Sequence, residues 1–288
     1  MSPATFSVAS TRKSRGRPQA AETEALMETL IGILREQAPM TCRGAFYAAS
    51  VVGAVPKTEA GYVKVQKALV KIRLCNVIPW RWILDGTRWR RGPETFDGVE
   101  DALHETARVY RRSLWDRAEE IVEVWLEKEA LAGVILPVCN RWTVDLMVCK
   151  GYPSLSYLAE AAEHARGRRK PLQIYYLGDL DPSGKDIPRN IRSRLSELSV
   201  DFTMIELAVN RDQATAWNLP TRPTKSTDSR AKDFTGDSVE LDAIPADRLR
   251  ELVDAAINAH VDQHEVEILK SYEQEERRVL LRLAREAS

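Results

Sequence analysis

Residues 175–187 read YYLGDLDPSGKDI. An apolar run stops at Gly178, Asp179 and Asp181 flank Leu180, and Pro182, Ser183 and Gly184 lead into a helical pattern. A short apolar run followed by turn residues and a helix start marks a strand-to-helix junction. Two aspartates one residue apart in extended chain point the same way, so both can reach one cation. Carboxylates that close repel each other unless a divalent ion or a proton stands between them. An Asx turn capping the helix that starts near Ser183 accounts for one aspartate and leaves the other unexplained.

Outward from this junction, apolar runs at 121–126 (IVEVWL), 146–149 (LMVC), 172–178 and 202–208 (FTMIELA) alternate with helical stretches. The alternation predicts a mainly parallel sheet covered by helices on both faces, with the ligand crevice at the strand C-termini. Glu127 ends the first of these strands, in VWLEKEAL, and neighbouring parallel strands share one C-terminal edge, so Glu127 and the aspartate pair can converge there. Three such oxygen donors suit Mg²⁺, which keeps several waters and takes phosphate oxygens as further ligands. An ordinary solvated glutamate at a strand end is the competing reading.

Before the strands, Leu26, Leu30, Ile33 and Leu34 sit at helical spacing and Pro39 marks that helix's end. A short helix with Thr41 as N-cap carries Arg43, Phe46 and Tyr47, and Gly53 and Pro56 break it. From Thr58 to about Asn76, Tyr62, Val65, Leu69 and Ile72 form an apolar stripe, while Lys64, Lys67 and Lys71 repeat on another face. Asp85-Gly86 then reads as a hairpin turn flanked by Arg88, Arg90 and Arg91. This is the order of a winged helix-turn-helix, which would lay the basic helix in the major groove of double-stranded DNA and set the wing on its backbone. A basic solvated helix beside an unrelated hairpin is the plainer alternative.

Composition bounds these readings. With 288 residues the chain has room for two domains with two cores. No apolar run approaches the roughly 20 residues of a membrane span, and the basic, Ser- and Pro-rich start (residues 1–19) has no apolar signal segment, so a cytoplasmic protein with a disordered tail and no membrane partner is expected. Cys42, Cys75, Cys139 and Cys149 are too scattered for a zinc knuckle or a disulfide framework. The net charge of zero hides a basic region: residues 40–91 hold ten Lys/Arg against Glu59 and Asp85, which suits a polyanionic partner.

Residues 98–118 read as one further helix, and two more are expected between residue 239 and the C-terminus, the last long and charged. The Pro-, Ser- and Thr-rich stretch 218–238 reads as an extended connection, in which Arg222, Lys225 and Arg230 are either phosphate contacts or solvated charges. Glu240 and Asp242 are weaker site candidates that could equally be strand-edge charges. His260 and His264 at i, i+4 are a possible metal pair, though a solvated helix face explains them as well, and Asp186 either joins the acidic cluster or begins a helix.

A glutamate in an EKEA turn, then KGYPS, then GDLDPSGKDI resembles the Toprim domain of type IIB topoisomerase A subunits and of the related meiotic double-strand-break transesterase, and TCRGAFYAAS is similar to that family's Arg-x-x-[Tyr/Phe]-Tyr motif. The match runs from about residue 40 to 210. The shortness of the chain resembles the compact, stand-alone topoisomerase mini-A group of bacteria, archaea and phages.

The resemblance implies an α/β and α+β chain: a winged-helix domain over 20–97, then a Toprim domain, Rossmann-like with a mainly parallel sheet, over 98–288 with C-terminal helices. It implies Tyr47 as nucleophile, Arg43 as its helper, Glu127, Asp179 and Asp181 as ligands of Mg²⁺ (or Mn²⁺), and Glu127 also as proton carrier. Lys64, Lys67, Lys71, Arg88, Arg90 and Arg91 would hold DNA. It further implies a covalent 5′-phosphotyrosine link, a homodimer in which one subunit's tyrosine meets the other's metal site, and a nucleoid-associated or phage- or mobile-element-encoded setting. The chain has no Walker A sequence, so an ATP-driven gate would need an unidentified partner protein.

Three alternatives stay open. A Toprim nuclease would use water in place of the tyrosine, and a non-catalytic protein would bind or bridge duplexes. Haloacid-dehalogenase-type phosphatases also begin with Asp-x-Asp, but they usually place Thr or Val where Ser183 stands and put the motif near the start of the domain.

Overall fold

The computed structural model describes residues 17–84, 92–224, 234 and 236–287. Helix α1 (Arg17–Gln37) buries Leu26, Leu30, Ile33 and Leu34, the stripe that the spacing predicts. A two-residue strand, β1 (Met40–Thr41), leads into α2 (Cys42–Val51), capped by the Thr41 hydroxyl accepting from the Gly44 N–H at 2.9 Å. Helix α3 (Glu59–Leu74) is capped by Thr58; it buries Val65, Leu69 and Ile72 and exposes Lys64, Lys67 and Lys71. Tyr62 is only half buried, with the Arg43 guanidinium 5.2 Å from its ring centroid. Strand β2 (Ile83–Leu84) pairs with β1 in parallel. The expected wing, with Asp85, Gly86, Arg88, Arg90 and Arg91, lies outside the described residues.

Helix α4 (Val99–Val109) is shorter than the helix expected over 98–118. The long helix α10 (Gln263–Glu286) takes the backbone just beyond it: Arg277 donates to the Tyr110 carbonyl at 2.6 Å, and Glu273 accepts from the Arg112 N–H at 2.9 Å. The chain then runs on irregularly to the sheet, anchored by buried Trp115, whose indole donates to the Trp142 carbonyl at 2.7 Å.

Strands β3 (Ile121–Leu126), β4 (Asp145–Val148), β5 (Leu172–Leu177) and β6 (Phe202–Ala208) form one wholly parallel sheet in the order β4-β3-β5-β6, as the alternation of apolar runs and helices predicts. Every residue of β3 and β5 is buried, because helices cover both faces. On one face Ile121 and Trp125 of β3 and Leu172, Ile174 and Tyr176 of β5 pack with α6 (Leu155–Arg168) and α7 (Pro182–Glu197). On the other, Val122, Val124 and Leu126 join α5 (Ala132–Trp142) and α9 (Ala246–Asn258). A short helix α8 (Arg211–Ala216) follows β6.

Among the described residues the buried apolar side chains form two clusters. The larger runs without a break from α1, α2 and α3 through α5 to α9, and the smaller lies between the sheet and α6/α7. The sheet is the partition, since side chains alternate across a strand and each face must find its own cover. Burial of each large side chain contributes roughly 1.5–3 kcal/mol, so this continuous cluster ties the front helices firmly to the sheet. Arg250 of α9 reinforces the tie by donating to the carbonyls of Gln37 and Pro39, each at 3.1 Å. Among the described residues, no helix is long and apolar enough to cross a membrane.

Candidate functional site

The C-terminal ends of β3 and β5 lie side by side, with the Glu127 N–H donating to the Leu177 carbonyl at 2.9 Å. Glu127 and Asp179 therefore meet despite their separation in sequence. Each of the three acidic candidates spends one oxygen on a backbone amide. Glu127 Oε2 accepts from the Asp179 N–H at 3.2 Å, Asp179 Oδ1 from the Leu241 N–H at 2.8 Å, and Asp181 Oδ1 from the Gly184 N–H at 2.8 Å. Asp181 is the N-cap of α7, the role that an Asx turn provides for one of the pair. Two glycines permit the close approach: a Cβ on Gly178 would stand 2.5 Å from Glu127 Oε2, and one on Gly184 would stand 1.9 Å from the Asp179 carbonyl oxygen.

Burial, and then the charge of Asp179, pushes the Glu127 carboxyl up to about 7. Burial also raises Asp179, against the opposing pull of Lys128 and the Leu241 N–H. The edge therefore holds more negative charge than its surroundings satisfy, and Glu127 can take up or release a proton near neutrality.

Lys128, Glu240 and Asp242 complete the site; Lys128 is not singled out in the sequence, and Glu240 and Asp242 are only weaker candidates there. Lys128 Nζ lies 2.7 Å from Asp242 Oδ2, 3.3 Å from Asp179 Oδ1 and 3.6 Å from Glu240 Oε2. Burial works against its charge, but Asp242, Asp179 and Glu240 outweigh that and hold its pKa above the ordinary lysine value. Glu240 and Asp242 are not at a strand edge. They are buried at the start of a 3₁₀ turn over Leu241–Ala243, which an antiparallel bridge between Leu180 and Val239 brings beside Asp179.

The front helices reach the same place. Thr41 Oγ1 donates to Asp242 Oδ1 at 3.2 Å, and Arg43 Nη1 donates to Glu240 Oε2 at 3.1 Å. Arg222 Nη1 lies 2.9 Å from Glu240 Oε1, and its Nη2 lies 3.5 Å from Asp181 Oδ2. Although burial disfavours its charge, Glu240 is held below the usual carboxylate range by Lys128, Arg43 and Arg222. The Tyr47 phenol lies in the field of Glu240, whose charge opposes loss of its proton, while Lys57 Nζ stands 5.5 Å from the Tyr47 ring centroid.

Tyr47 is 5% exposed, and burial together with Glu240 pushes its phenol up to about 12, overriding the opposing charges of Arg43 and Lys128. Arg43 favours the phenolate, as its position one turn away predicts, but in this arrangement the tyrosine is a neutral donor. The connection from Tyr47 to Asp179, through Glu240 and Lys128, runs within a single chain.

Other candidates fall elsewhere. Asp186 turns to Arg189, whose Nε lies 2.8 Å from Asp186 Oδ1, and to the Tyr152 hydroxyl. His260 is not on the helix that carries His264; it follows α9, where its Nδ1 meets Glu120 Oε1 at 2.5 Å and its Nε2 meets the Tyr175 hydroxyl at 2.6 Å, so the two do not form a metal pair on one helix. Lys225 and Arg230 lie outside the described residues.

Among the described residues, a different trio, Glu123, Asp145 and His164, presents ligand atoms all within 4.8 Å of one another and can hold a metal ion. The isolated glutamate in the apolar strand IVEVWL is the sequence signal for it. No protein-family model matches the chain, and no curated protein matches it.

Proposed function

We propose that the chain is a DNA-cleaving and rejoining transesterase, similar to type IIB topoisomerase A subunits of the compact mini-A kind, with a winged-helix front and a Toprim back and with Tyr47 as nucleophile. The observation that carries the reading is the network that joins Tyr47 and Arg43 of α2 to Asp179 at the sheet edge through Glu240 and Lys128.

Glu127, Asp179 and Asp181 are the oxygen donors that a hard divalent cation would draw together: each is oriented by a backbone amide, Asp181 would give up Arg222, and their mutual repulsion is what such a cation relieves. Mg²⁺ (or Mn²⁺) bound there would neutralise phosphate charge as it develops. Tyr47 Oη forms the new bond to phosphorus while the bond from phosphorus to the 3′ oxygen breaks. The phenol proton passes to the nearby Glu240, and Glu127, protonated and so not a ligand in this step, supplies the proton for the departing 3′ oxygen while Asp179 and Asp181 would hold the cation. The reverse steps reseal the strand. An incoming phosphate competes with Glu240 for Arg43 and Arg222, which loosens the hold on Tyr47. Lys64, Lys67 and Lys71 hold the duplex, and a homodimer would cut both strands.

The buried, protonated state of Tyr47, together with Glu127 poised near neutrality at the sheet edge, favours a second reading, hydrolysis by a water that Glu127 deprotonates. One experiment separates the two: supercoiled plasmid incubated with the protein and Mg²⁺ or Mn²⁺, then run on a denaturing gel. Transesterification predicts protein covalently attached to DNA in the wild type and none in Tyr47→Phe. Unchanged cutting by Tyr47→Phe means a hydrolytic nuclease, and intact DNA throughout means a protein that only binds or bridges duplexes.

A further inference from the structure

The sheet has a second polar cluster at the other end of its strands. Glu123 is the third residue of β3, on the face covered by α6 and α7, and it is 1% exposed among Ile121, Trp125 and Leu158. Its register partner across the parallel pair is Asp145, the first residue of β4, so both carboxylates rise from the same face. His164 of α6 closes over them, with its Nδ1 3.2 Å from Glu123 Oε1 and 3.9 Å from Asp145 Oδ2. The indole N–H of Trp125 donates to Glu123 Oε2 at 2.8 Å, which fixes the carboxylate and turns Oε1 toward the imidazole.

A histidine–glutamate hydrogen bond alone accounts for two of these groups. It does not account for a second carboxylate in register against the same nitrogen. A metal with bonds of about 2.0–2.2 Å in tetrahedral geometry separates its ligand atoms by roughly 3.3–3.6 Å, and the two separations from His164 Nδ1 bracket that range. Asp145 and His164 also line a cavity of about 270 Å³ together with Arg111, Arg112 and Arg168. A fourth position on the ion would therefore open to water or to an anion drawn by those guanidiniums.

We propose that Glu123, Asp145 and His164 form a site for a divalent transition metal of the zinc class, separate from the acidic edge at Asp179, that ties β3, β4 and α6 together. One imidazole and two carboxylates suit Zn²⁺, whereas Mg²⁺ strongly prefers oxygen. On binding, the proton shared between Nδ1 and Oε1 leaves to solvent and the ion takes its place. Trp125 acts as the positioning residue for the Glu123 carboxylate.

The test is calorimetry with Zn²⁺ on the full-length, chelator-stripped protein in excess Mg²⁺, which occupies hard oxygen sites. Wild type is expected to bind one Zn²⁺ per chain. His164→Gln and Asp145→Asn, at positions exposed enough to preserve folding, should each weaken binding at least about tenfold, and Asp179→Asn should leave it unchanged. Zn²⁺ should raise each protein's melting temperature above its own metal-free value only where the trio is intact. Absence of stoichiometric binding by wild type overturns the proposal, and so does binding that persists in both trio variants or is lost in Asp179→Asn. Failure of DNA cleavage has no bearing on any of these readouts.

Discussion

Arg43 of α2 meets Glu240 at 3.1 Å across 197 residues of sequence, and the charge of the same carboxylate acts on the Tyr47 phenol. Glu240 is thus the joint between the front helices and the sheet edge, and it also sets the state of the tyrosine. Glu240→Gln removes the charge that, after burial, does most to raise the Tyr47 phenol, so the phenol should titrate below about 12. The difference in ultraviolet absorbance between Glu240→Gln and Glu240→Gln/Tyr47→Phe along an alkaline titration measures this. The substitution also leaves Arg43 and Arg222 facing a neutral amide, so urea denaturation should show a loss of about 1–3 kcal/mol. An unshifted phenol would mean that Glu240 does not hold Tyr47.

Glu127 makes stability depend on pH in a direction opposite to that of a salt-bridged carboxylate. Its folded value near 7 lies above the ordinary 4.5. Between those two values the folded chain holds a proton that the unfolded chain has released, so folding loses stability as pH rises through this window. With a chelator present, the Glu127 contribution should fall by about 1–2 kcal/mol from pH 4.5 to 8, allowing for partial exposure. Glu127→Gln should flatten that part of the profile. Denaturation midpoints at several pH values check it, and a wild-type profile that Glu127→Gln reproduces would rule out the raised value.

Much of this was legible in the sequence, for physical reasons particular to each element. The four strands of the sheet are short apolar runs bounded by turns, and burial on both faces leaves them no other pattern to show. Thr41 announced its helix as a cap, and Leu26, Leu30 and Leu34 announced theirs by spacing. Glu127 and Asp179 met because parallel strands end on one edge. Glu240 and Asp242 were legible only as weaker candidates, because the segment before them has no periodicity and only the Leu180–Val239 bridge returns it to the site. Nor was the end of α4, which depends on Arg277 and Glu273 of a helix more than 160 residues away.

Glycines 184 and 167 offer a paired test of how tightly the loop around Asp179 is built. Both are helical, and alanine is the better helix former by about 0.8–1.0 kcal/mol where nothing interferes. At Gly167 a Cβ meets nothing within 4 Å, so Gly167→Ala should be neutral or stabilising. At Gly184 the Cβ would fall 1.9 Å from the Asp179 carbonyl oxygen, an atom of backbone that cannot swing away. Gly184→Ala should therefore cost about 1–3 kcal/mol and displace Asp179 from the Leu241 N–H. Thermal melts of the two variants side by side give the comparison, and equal melting temperatures would show that the loop yields.

The basic face of α3 carries a prediction about salt. Lys64, Lys67 and Lys71 are exposed and line a groove that Leu26 and Thr29 of α1 border on the other side. If each meets one DNA phosphate, the Lys64→Ala/Lys67→Ala/Lys71→Ala variant gives up three condensed-counterion releases. The slope of log affinity against log salt should then become shallower by about 2.7, at roughly 0.9 per phosphate on duplex DNA. Because such contacts carry no base information, the loss should be similar on unrelated duplexes. Stability should barely change, since none of the three side chains is buried. Fluorescence anisotropy over a range of salt concentrations measures the slope directly. A variant that binds with the wild-type slope would place the DNA on another surface of the protein.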